Sequence, residues 1–135
     1  MADNCMCNEA GILIFPCSGS SDVGELSDRS ARKMAKCGQA RMSCLAAIGA
    51  HVSGMIESAK AAKKLITIDG CPVSCAKKTL EHAGFSPVSF NLKDMGFEKG
   101  KIKVDDETIE KVLIKITGGK GEEVNRNLSG GCCGN

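Results

Sequence analysis

The chain has 135 residues, 42% hydrophobic and 25% charged, the composition of one ordinary globular domain rather than of a disordered polypeptide. Eighteen basic against sixteen acidic residues leave a net charge of +2, so no electrostatic footprint for nucleic acid or a membrane surface is present. All four aromatic residues are Phe, too few to build stacking platforms for bases.

Residues 1–9, MADNCMCNE, carry no periodicity and lack the basic start of a secretory signal, so a loose tail on a cytoplasmic protein is expected. Gly11 to Phe15 is the longest clean apolar run, far short of a membrane span, and Pro16 ends it as a buried strand. Ser18 to Asp22 is rich in turn and N-cap residues. A helix is expected from Val23 to Lys36, with Val23, Leu26, Ala31 and Met34 inward and Gly38 as its stop. Arg41 to Leu45 forms a weak second strand. Ile48, Val52, Met55, Ile56 and Ala59 recur at the spacing of one further helix.

Leu65 to Ile68 is a third strand, stopped at Asp69-Gly70. Pro72 suits the first turn of a helix reaching Ala83. Val88 to Leu92 alternates as a fourth strand. An edge strand is expected at Lys101 to Val104. Asp105 or Asp106 then caps a last helix with Ile109, Val112, Leu113 and Ile116 inward. The expected organisation is an α/β domain over residues 10–118, with a Gly-rich and Cys-containing tail over 119–135. Alternating strands and helices imply a three-layer, flavodoxin- or Rossmann-like sandwich around a mostly parallel sheet of about four strands.

Nine cysteines set this chain apart, and in a reducing compartment an odd number argues against a disulfide scaffold. Cys17 follows the first strand, Cys44 ends the second and Cys71 follows the third, with Cys75 four residues later. In an open α/β sheet these positions share the carboxyl edge, where such folds bind ligands. Cys71 and Cys75 would face one side of a helix start, whose dipole favours thiolate. Four thiolates suit tetrahedral zinc, with Zn–S about 2.3 Å, and equally an iron–sulfur cluster. A buried cysteine can also act simply as a small apolar side chain.

The segments that hold these cysteines resemble a known family. Ile66 to Lys78, ITIDGCPVSCAKK, is similar to the central motif of the DGC-domain family, described as zinc-binding. Pro16-Cys17-Ser18-Gly19 and Ser43-Cys44-Leu45-Ala46-Ala47-Ile48-Gly49 resemble its other two cysteine segments. The resemblance spans roughly residues 10–116 and implies four chelating cysteines, which fall on Cys17, Cys44, Cys71 and Cys75. It implies no reaction. Cys5, Cys7, Cys37, Cys132 and Cys133 lie outside the motifs; Cys37 reads as structural, and the tail pairs as soft-metal captors, electron relays or inert chain.

Asp69 has three readings: a fifth ligand, a group behind the ligands, or a cap for the following helix. His51, near the same edge, is a candidate to support the metal, whereas His82 reads as a surface residue. A thiol phosphatase or arsenate-reductase reading of Cys17 is weakened because Ser18 to Leu26 contains no Arg or Lys. Thiol–disulfide or persulfide chemistry at Cys17, Cys71 and Cys75 is the stronger rival to metal binding. No Gly-rich dinucleotide loop or Walker loop is present.

Overall fold

The computed structural model describes residues 11–118. The expectations for both tails, including Cys5, Cys7, Cys132 and Cys133, lie outside the described residues. In chain order the elements are β1 (Ile12–Pro16), α1 (Asp22–Lys36), β2 (Arg41–Met42), α2 (Leu45–Gly49), α3 (Ser53–Ala61), β3 (Lys64–Asp69), α4 (Cys75–His82), β4 (Val88–Asn91) and α5 (Asp106–Thr117). The strands form one sheet in the order β2-β1-β3-β4, and every pair is parallel. That order changes direction between β1 and β3, so the crevice above their carboxyl ends is the topological switch point of the fold.

Strand alternation divides the core in two. Ile14, Ile66 and Ile68 point to one face, where Leu26, Ala31 and Met34 of α1 and Ile109, Val112 and Leu113 of α5 cover them. Leu13 and Phe15 point to the other face and meet Ile48 of α2, Ala59 of α3 and Leu80 of α4. Burying each such large aliphatic or aromatic side chain contributes about 1.5–3 kcal/mol. The expected three-layer α/β sandwich with a four-stranded parallel sheet is therefore the observed fold.

Helix α1 begins where expected, because the Ser21 hydroxyl accepts the Gly24 N–H at 3.2 Å. Acidic Asp22 and Glu25 in its first turn and basic Lys33 and Lys36 in its last complement the helix dipole. At the other end of the chain Asp105 caps α5 through the Thr108 N–H, and Gly118 closes it in the left-handed region.

Four local expectations are corrected. The second strand is only Arg41–Met42, and Leu45 instead opens α2. The single helix expected through Ile48 and Ala59 is two, because Ala50 to Val52 close α2 before α3 starts. Pro72 does not enter a helix: residues 71–74 make a turn, Ser74 is left-handed, and α4 starts at Cys75. No strand forms at Lys101 to Val104; the Asp22 carboxylate instead accepts the Gly100 and Ile102 N–H groups, each at 2.9 Å. Those two donors face a side chain rather than a strand ladder.

Candidate functional site

Parallel pairing carries the carboxyl ends of β1 and β3 to the same level: Pro16 is opposite Ile68, and the Cys17 N–H donates to the Ile68 carbonyl at 2.8 Å. Cys17 thus begins its loop beside Asp69, and Cys71 follows two residues further along. The loop after β1 is held against α1 by glycine: a Cβ on Gly24 would stand 2.4 Å from the Gly19 carbonyl oxygen. Likewise a Cβ on Gly70 would stand 2.8 Å from the Val23 backbone. Both glycines let backbone approach backbone beneath the site.

Of the readings of Asp69, its role as a cap is seen directly. It is 1% exposed, and its two carboxylate oxygens accept the Ala76 N–H at 2.7 Å and the Lys77 N–H at 3.0 Å. Ser74, the residue in the usual capping position, makes no side-chain cap bond. Asp69 therefore caps α4 from the end of β3, seven residues earlier, and fixes the helix start that carries Cys75. Burial raises its carboxyl above the ordinary 3.8, against the lowering effect of these two N–H groups and of the Lys77 and Lys78 charges.

Asn91 was not singled out from the sequence, yet it ties the turn together. It stands opposite Asp69 in the β3–β4 register, and its amide donates to the Cys71 carbonyl at 2.7 Å and to the Ser74 hydroxyl at 3.1 Å. The signal available was a polar residue at the end of an alternating strand, level with the acidic end of its neighbour. Ser27, on α1, also braces this edge by donating to the Ile68 carbonyl at 2.6 Å from a fully buried position.

Burial raises the Cys17 thiol above its ordinary 9.0; an N–H bond from Gly19 opposes this, and the charges of Asp69, Cys75 and Cys71 add to it. Three of the four expected cysteines, with Asp69, thus share one electrostatic neighbourhood. Cys44 lies on the same sheet edge as the N-cap of α2, following Ser43, whose N–H donates to the Ile14 carbonyl at 3.0 Å. It is solvent-exposed. Cys37 closes α1 at the opposite edge of the sheet. No described cysteine is in a disulfide.

His51 is placed elsewhere. Its ring meets that of His82, with centroids 6.1 Å apart, and His82 is the last residue of α4 while Cys75 is the first. At 1.5 Å per residue that is roughly 10 Å along the helix. Among the described residues, no three His, Cys, Asp or Glu side chains as placed form a group that could hold a metal ion. By donor chemistry Cys17, Cys71 and Cys75 suit a soft ion, and the exposed Cys44 is the further thiol on that edge. The raised Cys17 thiol is the opposite of what an attacking nucleophile needs, which removes support from the phosphatase-like reading.

Among the described residues no helix is long and apolar enough to cross a membrane. No solved structure matches this chain. The anaerobic and virulence modulator AnvM of Pseudomonas aeruginosa is 31% identical over 88 residues, covering 64% of this chain and 67% of that protein. The DGC domain profile matches residues 13–116, from the middle of β1 to the last turn of α5. This cysteine-rich α/β chain belongs to the DGC domain family.

Proposed function

We propose that this DGC domain is a regulatory thiol protein that binds a thiolate-accepting metal ion, zinc, through Cys17, Cys71 and Cys75, with Cys44 as the fourth ligand. One observation carries the reading. Asp69, Cys71 and Cys75 surround a half-buried Cys17, so ionising these thiols together concentrates negative charge at one point, with the Lys77 and Lys78 charges acting on Asp69. A divalent cation is the partner that turns this repulsion into attraction, and it takes cysteine as thiolate. Exposed Cys44 leaves the fourth position on a movable side chain. The modulatory role is carried across from the name of the Pseudomonas aeruginosa relative, and a site of four thiolates with no open coordination position suits such a role better than hydrolysis.

The test is metal content after anaerobic purification from the native host, for the full chain and for Cys17→Ser, Cys44→Ser, Cys71→Ser and Cys75→Ser. About one zinc per chain, lost in the Cys71 and Cys75 variants, supports the reading. Iron with acid-labile sulfide identifies a cluster instead.

Thiol–disulfide exchange is the second reading, favoured by the solvent-facing Cys75 thiol beside Cys17 and Cys71. A stoichiometric, reversible disulfide in metal-free, freshly isolated protein would select it over metal binding.

A further inference from the structure

The chain has two histidines, and the fold brings them together across 31 positions of sequence. His51 and His82 are both exposed, and their rings stand 6.1 Å apart at an interplanar angle of 66°. With metal–nitrogen bonds of about 2.0–2.1 Å, two imidazoles on one ion have centroids roughly 5–6 Å apart.

His51 also occupies a left-handed position, where His is one of the few non-glycine residues that recur. The His51 N–H donates to the Ile48 carbonyl and the Val52 N–H to the Ala47 carbonyl, both at 3.0 Å. That pair of bonds is a Schellman ending for α2, and its left-handed residue is usually Gly. Here it is His51, with φ 54°. A left-handed side chain where glycine would sit without strain is a local cost, and such outliers are grounds for a functional hypothesis.

We propose that His51 and His82 form a two-imidazole site for a borderline divalent transition-metal ion such as Ni²⁺ or Zn²⁺, separate from the cysteine edge. The placement gives the ion a structural consequence. Helices α2 and α4 lie side by side, and a Cβ on Gly49 would stand 3.5 Å from the Thr79 methyl group. Cys44 and Cys75 mark their N-terminal ends, while His51 and His82 mark their C-terminal ends. An ion bridging the two rings ties the helix ends together and so limits the relative motion of Cys44 and Cys75. The site stands on the histidine pair alone and does not depend on what the cysteines bind.

Two histidines make the test simple to read, since the imidazole proton region of the NMR spectrum holds signals from His51 and His82 only. Ni²⁺ titrated into the full chain is expected to broaden both sets together, at the same half-saturating concentration. In His82→Gln the His51 signals should need at least about tenfold more Ni²⁺, because the two-point attachment is gone. Thiols elsewhere also take nickel, and the comparison with His82→Gln isolates the imidazole pair from them. His51→Gly should melt at the same or a higher temperature while losing the tight broadening of His82. Independent broadening of the two rings, or a His51 response unchanged in His82→Gln, overturns the site. A His51→Gly protein that keeps the tight His82 response overturns it as well.

Discussion

Cys17 and Asp69 end neighbouring parallel strands one residue beyond the Pro16–Ile68 pair, and the carboxylate adds to burial in holding the thiol above its ordinary 9.0. The sign of the pH effect follows from that direction. A folded-state thiol that resists ionisation contributes stability that is fully present below its unfolded value and is lost as pH rises through the folded one. Asp69→Asn removes one source of the shift, so the Cys17 titration should move down. Alkylation of Cys17 by iodoacetamide, followed peptide by peptide by mass spectrometry across pH 7–10, should then run faster in the variant at each pH. An unchanged or slower Cys17 rate would show that the carboxylate does not act on this thiol.

The same substitution separates the electrostatic role of Asp69 from its capping role. Asn keeps one acceptor oxygen for the Ala76 and Lys77 N–H groups, whereas Ala keeps none. Leaving those two donors without partners costs about 1–3 kcal/mol for a buried cap. Chemical denaturation should place Asp69→Asn between the native chain and Asp69→Ala. Equal stability of all three would remove Asp69 as the cap of α4.

Gly24 and Gly70 carry the close approach of α1 to the site loops. A Cβ on Gly24 overlaps the Gly19 carbonyl, and one on Gly70 overlaps the Val23 backbone; neither neighbour is a flexible side-chain end that can swing away. Gly24→Ala and Gly70→Ala should each destabilise the fold by about 1–3 kcal/mol. Gly54→Ala is the control, because nothing lies within 4 Å of its Cβ and the position is helical. That variant should be neutral or slightly stabilised in the same denaturation series.

Acid should act on a different part of the molecule. The Gly100 and Ile102 N–H groups hold the Asp22 carboxyl below its ordinary 3.8. A lowered folded value contributes stability that is present above 3.8 and lost as pH falls through the folded value. The raised Asp69 carboxyl has the reverse sign, favouring the folded state below 3.8. Asp22→Asn should therefore flatten the acid limb of the stability–pH curve, and amide exchange should quicken first at Gly100 and Ile102. An acid limb identical to that of the native chain would show that this loop clamp does not couple to folding.

Much of the sheet edge was legible because strand ends and turn residues are local signals. Ile12 to Pro16 and Leu65 to Asp69 are short apolar runs with clear stops, and their parallel pairing puts Cys17 and Cys71 on one edge. What could not be read is held by contacts distant in sequence. Asp69 caps a helix seven residues on, Asn91 reaches back twenty residues to Cys71, and Asp22 binds a loop 78 to 80 residues away. The break at His51 was hidden for another reason: the left-handed position of α2's ending carries no glycine, so the apolar spacing from Ile48 to Ala59 reads as one continuous helix. The same break moves His51 from the cysteine edge to His82.

Asn91 supplies the last prediction. Its amide donates to both the Cys71 carbonyl and the Ser74 hydroxyl, so one side chain spans the turn that carries Cys71 to Cys75. Ser74 itself sits at φ 55° and ψ 50°, a conformation that costs a non-glycine residue about 1–2 kcal/mol. Asn91→Ala removes both of these bonds and the exposed one its amide oxygen accepts from the Lys93 N–H, and leaves the strain, so it should lower stability by about 1–2 kcal/mol. Ser74→Gly removes the strain together with both hydroxyl bonds, the one accepted from Asn91 and the long one donated to the Pro72 carbonyl, and its stability should stay within about 1 kcal/mol of the native chain. Amide exchange at Ser74, whose N–H donates to the Cys71 carbonyl at 3.1 Å, reads the turn directly, and it should accelerate in Asn91→Ala well beyond the change in global stability. A variant that loses no local protection there would show that the turn is set by the Asp69 cap alone.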